Sequence, residues 1–123
     1  MELYTVQLAQ WREAKKKGIH LLDTTVRSGE AWLAPTWEMV LAIKDGSISE
    51  EAYRKLYVDR MVGSYHAHQD LWLSLIKMDK IAIGCYCAAG KFCHRHILRE
   101  LLEGLCRKQN IPFTYGGELL PTK

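Results

Sequence analysis

"KIAIGCYCAAGKFCHRHILRELL" runs from residue 80 to residue 102 and changes its hydrophobic period halfway. Residues 80 to 87 form a short apolar run, which predicts a buried strand. From Cys93 onward, Ile97, Leu98, Leu101, Leu102 and Leu105 keep to one face at helical spacing, the best helix pattern in the chain. A strand that passes through a short loop into a helix is half of a crossover unit. Crossovers imply a mainly parallel sheet covered by helices.

Other segments repeat the pattern. "IHLLDTTV", residues 19 to 26, predicts a second buried strand ended by the turn chemistry of "RSGE", and "IPFTYG", residues 111 to 116, predicts a third. Helices are expected over "VQLAQWREAKKKG", where Leu8 and Trp11 recur at helical spacing, and from Pro35 to Gly46. Another starts from a capping box of Ser47 with Glu50, with Tyr53, Leu56, Tyr57, Met61 and Tyr65 on one face, and a further segment covers residues 69 to 77. The expected fold is one α/β domain over residues 1 to 123, a small Rossmann-like three-layer unit with a mainly parallel sheet. Ligands gather beyond the carboxyl ends of such strands. The loops that leave there, around 23–37 and 87–95, should therefore meet.

The size fits one domain: 123 residues with 48% hydrophobic content. Seventeen basic against 14 acidic residues give a net charge of +3, which calls for no nucleic-acid partner and suits a small anionic ligand. No basic segment followed by an apolar one marks the start for export, and no apolar run approaches the roughly 20 residues that span a bilayer. A cytoplasmic protein without a membrane partner is expected. Three of the four cysteines crowd residues 85 to 93, and nothing signals an oxidising compartment, so all four read as thiols or ligands.

Three chemistries compete for this cluster. Cys85, Cys87, Cys93 and His94 are metal-ligand types, but their spacing is not that of paired C-x-x-C knuckles, and neighbouring helical residues point about 100° apart. No metal and no other cofactor is expected. A nucleophile reading makes Cys93 a thiolate beside Lys91 and Arg95, with His94 or His96 as acid or base. It lacks the tyrosine-phosphatase spacing, since seven residues rather than five separate Cys87 from Arg95. An anion cup uses more of the stretch: Gly90 turns the chain beside Lys91, Phe92, Cys93 and His94, the helix start offers free amides, and Arg95 adds a bidentate fork.

"DTTVRSGEAWLAPTW", residues 23 to 37, supplies the complement. Asp23 suits ribose hydroxyls or the orientation of a histidine; Thr24, Thr25 and Ser28 bring hydroxyls, Arg27 a charge, and Trp32 a surface for stacking a base. Trp37 offers a second such surface, although packing on the core is the stronger expectation for it. His20 reads as a core or edge histidine, and His66 and His68 as part of a solvated break between helices. Tyr115, Gly116, Gly117 and Glu118 are expected at the pocket rim.

"LLDTTV" followed by "RSG", the "APTW" segment, "CYCAAGKFCHRHILRELL" and the closing "YGGEL" together resemble the bacterial and phage family called domain of unknown function 488, in particular its phage-borne branch. The likeness spans residues 19 to 119, and the Cys-His-Arg triplet at 93–95 is its most specific part. It implies a Rossmann-like domain with Asp23, Cys87, Cys93, His94 and Arg95 in one site, without an established reaction. Many members carry an acidic residue shortly after the strand cysteine; here Ala88, Ala89 and Gly90 occupy that stretch.

The leading expectation is a protein that binds a phosphorylated nucleotide-like molecule, of ADP-ribose or cyclic-nucleotide type, and in a phage context sequesters a host immune signal in the bacterial cytoplasm. The alternatives are an enzyme that hydrolyses a glycosidic or phosphate bond of such a ligand, with His94, Asp23 and Cys93 as catalytic candidates, and a metal-stabilised interaction module. Two copies could complete each pocket across a twofold axis.

Overall fold

The computed structural model describes residues 1–122, and they form a Rossmann-like three-layer α/β fold. Four parallel strands stand in the order β2-β3-β1-β4: β1 is Glu2–Gln7, β2 His20–Asp23, β3 Lys80–Cys85 and β4 Thr114–Leu119. Five helices connect them: α1 Trp11–Lys16, α2 Trp37–Lys44, α3 Glu50–Ala67, α4 Gln69–Ile76 and α5 His94–Lys108. None of them is long and apolar enough to cross a membrane.

The chief difference from expectation lies at the amino terminus. Residues 6–18 are not one helix: Val6 and Gln7 close β1, Leu8–Gln10 form a 3-10 turn, and α1 begins at Trp11. "LYTV", residues 3 to 6, is rich in aromatic and β-branched types that favour a pleated surface. The strand sits between β3 and β4, with Leu3 opposite Ile81 and Thr5 opposite Ile83. The three other strands occur as expected, although the last starts at Thr114 and carries both glycines within it. Gly116 is the extra residue where the β1–β4 register slips, and a side chain there would strike the Tyr4 ring; Gly117 has φ 101°. Those glycines therefore make a bulge rather than a rim turn.

Side-chain alternation divides the sheet. Leu3, Ile81 and Ile83 face the larger core with Tyr53, Tyr57, Trp72, Ile76, Leu98 and Leu102 of α3, α4 and α5. Val6 and Ala82 face the smaller one with Ala14 and Ile19 around α1, and this opposite covering makes the three layers. On α3, Tyr53, Tyr57 and Met61 are buried as the face pattern predicts, while Leu56 is exposed. Its cap is Ser49, whose hydroxyl accepts from the Ala52 amide; Ser47 instead hydrogen-bonds Asp45. The Ser47–Glu50 spacing is thus shifted by two residues from the working cap.

Because Leu3 is fully buried in an interior strand, Leu3→Ala should lower the unfolding free energy by about 2–5 kcal/mol, read from urea denaturation.

Candidate functional site

β2 and β3 lie side by side, so the loops that follow them open at the same sheet end. Between those loops and helices α2 and α3 lies a cavity of about 830 Å³. The β2 loop contributes Thr25, Val26 and Arg27; the β3 loop contributes Tyr86, Cys87, Lys91 and Phe92; and Cys85, Cys93 and His94 lie at its inner end. The expected meeting of the two loops occurs. Arg27, Lys44 and Lys91 line it against one carboxylate, Glu50, so its charge favours an anion.

His94 is 5% exposed and its orientation is fixed. Nε2 lies 2.9 Å from Thr24 Oγ1 and 2.9 Å from the Thr24 carbonyl oxygen. The Thr24 hydroxyl proton goes to the Gly84 carbonyl at 2.9 Å, leaving both Thr24 oxygens as acceptors toward the ring. Nε2 must therefore carry the proton and donate. The bare Nδ1 then faces Cys93 Sγ at 3.6 Å. Burial above all, with the Arg95 charge adding to it, pushes the His94 pKa down to about 4 despite the favourable bond to Thr24. The ring is neutral at neutral pH.

Cys93 also overturns an expectation about direction. It is the cap of α5 with extended backbone, φ −159° and ψ 151°, so the helical 100° rotation does not separate it from His94. Its sulfur contacts that of Cys85, while the two Cα atoms stand 7.8 Å apart. A disulfide ordinarily spans roughly 4.4–6.8 Å between Cα atoms, so this frame gathers two sulfurs around a shared position. Cys87 and Cys106 are free. The uniform reading of the four cysteines thus resolves into a close pair and two separate thiols.

Arg95 is fully buried and does not line the cavity. Nη1 donates to Cys85 Sγ at 2.8 Å and to the Cys87 carbonyl at 2.9 Å. Nη2 donates to the Ala88 carbonyl at 3.4 Å and to Glu118 Oε2 at 2.9 Å, and Nε donates to Glu118 Oε1 at 3.3 Å. All five guanidinium N–H groups are engaged. The fork expected to clamp a phosphate instead ties the β3 loop to β4. Glu118 belongs to that anchor rather than to a rim.

Asp23 is similarly committed. Its Oδ1 accepts from the Thr25 amide at 2.8 Å and the Thr25 hydroxyl at 2.7 Å, its Oδ2 accepts from Ser28, and Ser28 in turn meets the Tyr86 hydroxyl at 2.9 Å. This network fixes the β2 loop and joins it to the β3 loop. Gly90 turns the latter with φ 80°. Tyr115 is likewise internal, with its hydroxyl 2.6 Å from Thr5 Oγ1.

The two loop tryptophans exchange their expected places. Trp32 packs edge-on against Trp72 at 5.7 Å within the larger core, whereas Trp37 is 51% exposed at the cavity. His20 lies exposed on the edge strand, and His66 and His68 are exposed around the α3–α4 junction. Sequence reading missed Lys44, Ile43, Val40 and Tyr53 as cavity residues. Lys44 closes the helix that follows the first loop and Tyr53 lies on the next one, and no local motif marks either. For Arg95 a signal existed: it precedes Leu98 by three residues and Leu102 by seven, on the buried stripe of α5.

Two consequences are measurable. Removing the negative partner of a buried guanidinium leaves its charge uncompensated, so Glu118→Gln should destabilise by about 3 kcal/mol in urea denaturation. Combining it with Arg95→Met should cost less than the sum of the two single changes. The depressed His94 pKa means that the unfolded chain takes up a proton first as pH falls. Stability should hold above pH 6.5 and fall by about 3 kcal/mol as pH drops toward 4, with His94→Gln flattening that slope.

The chain matches a family model, DUF488-N3a, described as the active DUF488-N3 subclade, over residues 4–105. Neither a curated protein nor a solved structure matches it. The matched span includes both cavity loops and the Cys-His-Arg triplet, and the chain belongs to the DUF488 family.

Proposed function

We propose that this protein binds a small phosphorylated, nucleotide-like molecule in the cavity at the carboxyl ends of β2 and β3. The observation that carries the reading is the cavity itself. About 830 Å³ lies within the roughly 300–1,000 Å³ range of small-molecule sites. Its apolar wall, with Trp37 and Tyr86 offering accessible ring faces, suits a base, while Arg27, Lys44 and Lys91 suit phosphates. The amides at the start of α5 add positive potential nearby. The cationic role assigned to Arg95 from sequence passes to Arg27 and Lys91 in this reading.

In a phage setting, such a pocket would hold a host signalling nucleotide away from its receptor, acting in the cytoplasm. A catalytic version is favoured by one geometric observation: the bare His94 Nδ1 lies 3.6 Å from Cys93 Sγ, which places a base beside a thiol once the Cys85–Cys93 pair is reduced and parted. The description of the matched subclade as active supports it too. Asp23 is less suited to proton transfer because its oxygens are occupied by Thr25 and Ser28.

Calorimetry against ADP-ribose, NAD and cyclic nucleotides tests binding. One of them should bind, and Arg27→Ala or Lys91→Ala should raise its Kd about tenfold while leaving thermal stability nearly unchanged. No heat and no thermal shift from any of them would defeat the reading. Conversion of the bound ligand, lost in Cys93→Ser while binding persists, would establish the catalytic version.

A further inference from the structure

We propose that Cys85 Sγ, Cys93 Sγ and His94 Nδ1 form a zinc site whose fourth coordination position opens into the cavity. These three donors lie within 4.8 Å of one another, and all three residues are buried. Sulfur and imidazole ligands suit zinc, which four donors surround tetrahedrally. From Zn–S of about 2.3 Å and Zn–N of about 2.0 Å, neighbouring donors stand roughly 3.5–3.8 Å apart. The separation of Cys93 Sγ from His94 Nδ1 is 3.6 Å.

The surroundings are those of a ligand set. Metal-bound imidazoles usually donate their other N–H to an oxygen, which fixes the tautomer and aims the free nitrogen at the ion. Here the Thr24 carbonyl and hydroxyl oxygens receive Nε2–H, leaving Nδ1 directed toward the sulfurs. Arg95 Nη1–H on Cys85 Sγ supplies a donor to a ligating thiolate, and Glu118 balances the guanidinium charge. The 7.8 Å Cα frame around the two sulfurs is wider than a disulfide takes and leaves room for them to part around an ion. Because Cys85, Cys93 and His94 all line the cavity, the remaining position faces whatever enters it.

This inference does not depend on a nucleotide ligand. Zinc there would occupy the sulfur that the thiol-nucleophile reading needs, so the two are mutually exclusive.

The test uses the reduced full-length chain, stripped with chelator and titrated with cobalt(II) as a spectroscopic stand-in for zinc. Thiolate-to-cobalt charge-transfer absorption and tetrahedral visible bands should saturate at one equivalent and disappear on adding zinc. Thiol titration of the native wild-type chain should show Cys85 and Cys93 protected when zinc is bound and modified when it is removed, with the sites identified by mass spectrometry. That readout needs no variant. Cys85→Ser and Cys93→Ser should lose the charge-transfer signal or weaken binding at least tenfold, while Cys106→Ser keeps both. Absence of cobalt bands, or zinc protection confined to Cys87 and Cys106, would overturn the proposal. Zinc binding without nucleotide binding would uphold it and sink the ligand reading; nucleotide binding by a chain that takes no cobalt would do the reverse.

Discussion

The Arg95 guanidinium is the fixed point from which the site is built. A charge this deeply buried is tolerable only when its hydrogen-bonding capacity is met and an opposite charge stands beside it. Two loop carbonyls, the Cys85 sulfur and the Glu118 carboxylate meet that requirement. The loop between β3 and α5 therefore has its course set from beneath. A segment containing Ala88, Ala89 and Gly90 has little side-chain substance with which to order itself, and the arginine supplies what it lacks. The same contacts bind the start of α5 to the far edge of the sheet.

On the other side of the loop, His94 performs a related task with no net charge. Its protonated nitrogen is committed to Thr24, at the end of β2, so the ring joins the two neighbouring strand ends while presenting a lone pair to the sulfurs. Arg95 and His94 are adjacent in sequence yet face different structural partners. Arg95 secures the loop to β4, and His94 secures the base of the cavity to β2. Exposed Arg27, Lys44 and Lys91 remain available to meet solvent or a ligand.

Much of this arrangement was legible in the sequence, because three strands, the long terminal helix and the meeting of two loops follow from local hydrophobic pattern and parallel-sheet topology. What local pattern does not carry are relationships fixed by burial and long-range partners. The short "LYTV" run was overshadowed by the helical pattern that follows it, although its residue types favour a strand. The arginine of the triplet looked like a ligand fork because charge suggests exposure, whereas its place on the stripe of Leu98 and Leu102 points inward. The two tryptophans are hard to tell apart for a similar reason: composition offers two rings, and only the packing of α3 and α4 selects Trp32 as the one that lies inside.

The position of β1 also constrains the order of events on the ribosome. Its neighbours are Lys80–Cys85 on one side and Thr114–Leu119 on the other, so this strand must wait for about 75 further residues before either edge is paired. Closing such distant contacts is slow compared with forming local helices. During that interval a nascent chain displays an unpaired β edge, the kind of surface that pairs wrongly or aggregates when left uncovered.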